Sequence, residues 1–264
     1  MTARAQSKRA GQAGARLPRP LALSLRGEAL LHETRARIVD SGLPTRIGHG
    51  VVLASFLAAG RIEQFGEQLE AALSDSASVA WLGESILQSY LFVGFPRAWQ
   101  GLKCLREARA RRGDKEHLML EVPDLKALIA AQHSESGHPA HDQLEEWWAR
   151  GESLCREIYG PQYDRLRVNL GGYHPELADW MILEGYGKVL SRPTIAAGER
   201  EQWIVPILVV QEARDQMHSH LRGALRVGVS AEAMRAVVRL SGATATRRGV
   251  TEGLALLDAL SAVD

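Results

Sequence analysis

The sequence is poor in the features that mark the commonest specialised chemistries. Cysteine occurs twice, at Cys104 and Cys155, 51 positions apart. That spacing fits no disulfide framework, thiolate metal site or redox pair, and so few thiols suit a reducing compartment, so a cytoplasmic protein is expected. No apolar run approaches the roughly 20 residues that span a bilayer, so no membrane segment is expected. With 32 basic and 31 acidic residues and a net charge of +1, the chain carries no global field for nucleic acid or an anionic surface. No glycine-rich phosphate loop, serine elbow or paired-carboxylate signature occurs, which excludes nucleotide enzymes and serine hydrolases at the level of motifs. Aromatic residues are few, and Trp147 and Trp148 have no basic stripe beside them, so they read as core or interface residues rather than a base-stacking platform.

What is present is helical periodicity. Across 199–230, Trp203, Ile204, Ile207 and Leu208, then Met217, Leu221, Ala224 and Leu225, recur at three- and four-residue steps and line one side of helical turns. A similar run extends from Thr45 to Leu73, and a third begins at Val79 and is broken or kinked at Gly94-Phe95-Pro96, where proline removes a backbone donor. Sliding the chain by 152 positions pairs Val52 with Ile204, Phe56 with Leu208, Leu69 with Leu221, Ala72 with Ala224, Ser78 with Ser230, Gly101 with Gly253 and Leu105 with Leu257. The register holds without a gap through the break between the helices, over about 55–60 positions, a length typical of a structural repeat. Shared periodicity alone is common among amphipathic helices; the unbroken register favours duplication.

The expectation is an all-α fold of two similar helical repeats covering each other's apolar faces. Residues 1–26 carry six basic residues after the initiator region and read as a basic flexible tail without the apolar core of a secretory signal. Residues 27–108 form the first repeat, 109–150 a linker with short helices, and 151–264 the second repeat. His133, His138 and His141 fall in the polar linker and read as solvated.

The run ELADWMILEGYGKVLSRPTIAAGEREQWIVPILVV, followed by HLRGALRVGVSAEAMRAVV, resembles the carboxymuconolactone decarboxylase family, in which a Tyr-Gly and Ser-Arg-Pro segment precedes the helices that end in His-Leu-Arg and a Gly-Val-Ser turn. ILQSYLFVGFPRAWQGLKCL is similar to the family's second helix with its aromatic-x-Gly-Phe-Pro centre. The resemblance covers roughly 38–107 and 152–257 and implies an all-α, alkyl hydroperoxidase D-like fold that assembles as a homo-oligomer. The peroxidase branch of the family uses Cys-x-x-Cys-x-x-x-His. With the histidine at His220, the cysteine positions hold Ala213 and Gln216, which removes thiol chemistry and leaves the cysteine-free decarboxylase branch.

That resemblance implies a lyase acting on a small carboxylated lactone or related oxoacid, with no cofactor, no metal and a small-molecule substrate as its partner. His220 is the candidate proton-transfer residue, since imidazole titrates near neutrality. Glu201 is the candidate that orients it, against the plainer reading of an acid favoured near a helix N-terminus. Arg192 and Arg222 are candidates to hold a carboxylate, against exposed helix-end charges, and Tyr186 to donate a hydrogen bond, against simple packing. His218 and His220 lie about 200° apart around a helix and make a poor metal pair. In the first repeat Gln68 stands where His220 would be and His49 where Glu201 would be, while the second repeat has lost the Gly-Phe-Pro centre. That divergence allows a second reading, a non-catalytic helical binding or assembly module that kept the fold.

Overall fold

The computed structural model describes residue 17 and residues 19–75, 77–113 and 139–262. Among them every regular element is helical and no strand occurs. The helices are α1 (Gly27–Ser41), α2 (Thr45–Ala59), α3 (Ile62–Asp75), α4 (Val79–Gln88), α5 (Tyr90–Val93), α6 (Phe95–Arg111), α7 (Pro139–Tyr159), α8 (Tyr163–Tyr173), α9 (Pro175–Trp180), α10 (Ala197–Gln211), α11 (Arg214–Arg226), α12 (Ala231–Ser241) and α13 (Arg247–Ser261). A 3-10 turn, Gly160–Gln162, joins α7 to α8, and a π-helical segment, Met181–Leu190, follows α9.

The helix starts at Thr45, Ile62, Val79 and Phe95 each precede those at Ala197, Arg214, Ala231 and Arg247 by 152 positions. The caps agree: Ser78 and Ser230 each accept a hydrogen bond at their hydroxyl from the backbone N–H three residues on, satisfying one of the free donors of a helix start. Helices α2 and α10, both buried along most of their length, pack against each other. Trp203 of α10 is held edge-on to Trp81, with ring centroids 5.8 Å apart, and donates its indole N–H to Ser89 Oγ at 2.8 Å. Gly50 of α2 leaves the room for both rings, because a Cβ there would lie 2.7 Å from Trp81.

Several boundaries differ from the sequence reading. The run from Thr45 to Leu73 is two helices, ended at Gly60 with φ 75°, and the run through 199–230 is likewise broken at Glu212, which stands 152 positions later with φ 54°. Apolar periodicity continues across both turns, so pattern alone does not reveal them. The boundary at 150/151 falls inside α7, a helix of 21 residues. The described end of the basic tail is docked: Leu21 is buried, its N–H donates to Ala243 O at 2.8 Å, and Arg26 pairs with Glu63. Most of the tail, much of the linker and the side chains of His133, His138 and His141 lie outside the described residues.

The π-helical segment backs onto α7 at van der Waals range. A Cβ on Gly187 would lie 2.0 Å from the Trp147 carbonyl oxygen, and one on Gly151 would lie 2.3 Å from that of Ile182. Backbone meets backbone there, and only glycine at both positions permits it.

Candidate functional site

The site is assembled by α7, the π-helical segment, α10 and α11. His220 sits one turn past Gln216 on α11, with 7% of its surface exposed, and Glu201 sits in the second turn of α10 with 2% exposed. The α10–α11 turn at Glu212 brings these residues, 19 apart in sequence, to 2.8 Å between His220 Nδ1 and Glu201 Oε2. A carboxylate only accepts, so the contact selects the imidazole tautomer that carries its proton on Nδ1 and leaves the Nε2 lone pair for other chemistry. Gly223, one turn from His220, lets the chains approach, since a Cβ there would meet Ile158 at 2.7 Å and Glu201 at 3.5 Å.

Two tyrosines complete the cluster. Tyr186, from the π-helical segment, is buried and its hydroxyl lies 2.9 Å from that of Tyr159 at the end of α7. Burial raises the pKa of both phenols, most strongly Tyr186, and the negative charge of Glu201 pushes in the same direction. Both therefore stay neutral at physiological pH and can donate. The ring of Phe92 meets His220 edge-on at 5.4 Å between centroids. Phe92 belongs to α5 in the first half, next to the Gly94 break, and Tyr90 of the same turn donates to Glu184 Oε1 at 2.5 Å. The first half thus supplies a wall of a site built from the second.

The sequence-selected residues separate into two groups. His220 and Glu201 are in contact, Tyr186 lies within range of the Glu201 charge, and Arg222 stands at the edge of that group. Its guanidinium reaches His218 Nδ1 at 3.3 Å, its Nε is buried without a hydrogen-bond partner, and its charge lowers the Tyr159 pKa against the larger effect of burial. Arg192 is engaged elsewhere. Its Nε and a terminal nitrogen donate to the two oxygens of Glu84 at 2.8 and 2.9 Å, so a substrate carboxylate would have to displace Glu84. The same Glu84 is shared with Arg200, which also donates to Gln88 Oε1 and to the Arg192 carbonyl. This buried group was not apparent in the sequence, because Glu84 and Arg192 are 108 positions apart. Tyr159 and Phe92 were missed for the same reason.

The thiols are poor nucleophiles. Cys155 is fully buried, and burial pushes its pKa up to about 12; burial also raises that of Cys104. A reactive cysteine needs the opposite shift. Among the described residues no group of three or more His, Cys, Asp or Glu side chains is placed to hold a metal ion, and no helix is long and apolar enough to cross a membrane.

No family model matches the chain. It is similar to Peroxisomal protein 2 of Saccharomyces cerevisiae, 26% identical over an alignment of 170 residues that covers 58% of this chain and 56% of that protein. It is also similar to Peroxisomal protein 2 of Schizosaccharomyces pombe, 28% identical over 152 residues, 57% of this chain and 62% of that protein. The chain thus matches little more than half the length of these curated relatives.

Proposed function

We propose that the chain is a carboxymuconolactone decarboxylase-like lyase, built from two copies of one helical unit, that acts on a small carboxylated lactone or related oxoacid. The observation that carries this reading is the buried His220–Glu201 contact, an oriented base of the kind used for proton transfer. In such a reaction the carbon–carboxylate bond breaks and its electron pair passes into the conjugated carbonyl of the substrate. His220, once its Nε2 has taken up a proton from solvent, delivers that proton to the resulting enolate and returns to the neutral tautomer, and the hydroxyl of the Tyr159–Tyr186 pair that is not donating to the other supplies a donor for the enolate oxygen. The electron sink belongs to the substrate, so this chemistry calls for no cofactor or metal.

The test is to screen small carboxylated lactones for release of carbon dioxide, then to compare His220→Gln. A folded variant should lose about 10²–10⁴-fold in kcat, the usual contribution of a general acid–base residue. Unchanged turnover in a folded His220→Gln protein would remove the assigned role.

A second reading, a non-catalytic binding or assembly module, draws support from the space beside Glu201, which at about 10 Å³ admits roughly one water molecule. It predicts no turnover in the screen and no functional effect of His220→Gln. Under either reading a homo-oligomer is proposed, supported by Phe95 and Trp99, which lie one turn apart on α6 and are 74% and 64% exposed. Sedimentation of the wild type beside Trp99→Glu checks it. The relatives are named for the peroxisome, whereas cysteine usage suits the cytoplasm, and a fluorescent fusion decides the compartment.

A further inference from the structure

His220 is closed off from solvent. It is 7% exposed, and the space beside its partner Glu201 amounts to about 10 Å³, so a ring-sized substrate reaches Nε2 only when a covering element moves. Glu201 and Tyr186 are buried, whereas Phe92, edge-on to the imidazole at 5.4 Å, is half-buried, as is every residue of α5. The wall over His220 is thinnest at α5.

The ends of α5 differ in how they are held. Before it, Ser89 is buried, and its Oγ accepts the Trp203 indole N–H at 2.8 Å and donates to the Ser85 carbonyl at 2.9 Å. After it, Gly94 has φ 78° and ψ 160°, a conformation that residues with a side chain rarely adopt, and the helical bonding of α5 stops there. Between the ends, two polar contacts tie α5 to the second half: the Tyr90 hydroxyl donates to Glu184 Oε1 at 2.5 Å, and Gln211 Nε2 donates to the Phe92 carbonyl at 2.9 Å.

The repeat supplies the contrast. At 242–245, 152 positions on, the chain reads Gly-Ala-Thr-Ala, with Ala243 and Ala245 buried and the Thr244 hydroxyl donating to the Ser55 carbonyl at 3.2 Å. The chain at Leu21 lies across that turn, its N–H bonded to the Ala243 carbonyl at 2.8 Å. The residue at the place of Leu21 in the other half is Tyr173, which is 83% exposed and so does not lie across α5. One turn is clamped from outside, and its counterpart over His220 is held by two side-chain contacts.

We infer that α5 is a gate over His220, which swings out about Ser89 and Gly94 and carries Phe92 off the imidazole when the Tyr90–Glu184 and Gln211–Phe92 contacts release. That the entering molecule is a lactone substrate rests on the lyase reading, whereas opening is measurable without turnover.

The experiment is acylation of the full chain by diethyl pyrocarbonate near neutral pH, which reports neutral imidazole nitrogens with an accessible lone pair. Tandem mass spectrometry follows each histidine separately. His32 is exposed and gives the open rate, and His49, fully buried with both nitrogens occupied, gives the rate of global unfolding. His220 should react at least about tenfold more slowly than His32 and at least about tenfold faster than His49, because local opening costs less than unfolding. Tyr90→Phe, which removes a hydrogen bond to a charged group, should quicken His220 about tenfold and Gln211→Ala about threefold, with His49 unchanged. Phe92→Ala should quicken it at least as much as Tyr90→Phe. A wild-type His220 as reactive as His32, a wild-type His220 rate in both Tyr90→Phe and Gln211→Ala, or acceleration of His49 in step with His220 overturns the inference. Contact-dependent acylation of His220 together with a fully active His220→Gln would uphold the gate and refute the role assigned to His220 in the lyase reading.

Discussion

The two halves place polar groups at the same three positions and use them differently. In the second half Glu201 and His220 meet, with Tyr186 within range of the Glu201 charge, and 152 positions earlier stand Thr34, His49 and Gln68, which are joined by hydrogen bonds. Thr34 Oγ1 donates to Gln68 Oε1 at 2.9 Å, so the Gln68 amide faces and donates to His49 Nδ1 at 2.5 Å, and His49 Nε2 then donates to Asp75 at 3.0 Å. Both nitrogens of that fully buried ring are occupied. The second half has no acid where Asp75 stands; Val227 takes its place, and the bond at His220 uses Nδ1. One framework therefore yields a closed, self-satisfied network on one side and an oriented base on the other, and three or four side chains make the difference.

The sharpest way to break this comparison is to exchange equivalent residues. His220→Gln, which gives the second half the residue of the first, should cost about 10²–10⁴-fold in kcat, whereas Gln68→Ala should leave kcat within about twofold and lower thermal stability instead. Kinetics and a melting curve on both proteins check the pair, and equal kinetic losses would mean that both halves carry chemistry.

The next effect tests how far the halves depend on each other. Glu84 of α4 is shared by Arg192 and Arg200 from the far half, so Glu84→Gln leaves both guanidinium groups without their counter-charge and should cost about 3–5 kcal/mol in urea unfolding. A loss under about 1 kcal/mol would show that the group is wetter or more adaptable than its burial implies.

A smaller change addresses the closed network alone. Thr34→Val keeps the side-chain shape and removes the donor to Gln68, so about 1–2 kcal/mol should be lost with no change in turnover. Altered kinetics in this variant would connect the first-half network to the reaction.

The smallest effect is a slope with pH. Burial lowers the His49 pKa, against the opposing effect of the hydrogen bond it donates to Asp75. The unfolded chain then takes up the proton first as pH falls below the ordinary 6.5. Stability from this group is full above that value and declines as pH falls toward the lowered folded pKa. Urea midpoints from about pH 7.5 to 5 should drop in the wild type and flatten in His49→Gln; identical slopes would assign the dependence to other groups.

Helix existence and register were legible because burial on one face imposes a 3.6-residue period, and the shift of 152 reappears in the starts of four helix pairs. Helix ends were less so. Gly60 and Glu212 turn the chain while the apolar pattern runs on, and a left-handed glutamate leaves no compositional mark. His220 and Glu201 could be chosen by residue type and by resemblance, but their meeting depends on the angle of one turn.

The sequence by itself determined the helical class and the 152-residue shift that relates four helix starts, since each depends on residue identity and spacing along one chain. Only the tertiary structure decided which polar residues meet. It set Arg192 on Glu84, Tyr159 on Tyr186 and Phe92 over His220, because contacts between groups far apart in sequence are fixed by how helices cross, and no local period encodes a crossing.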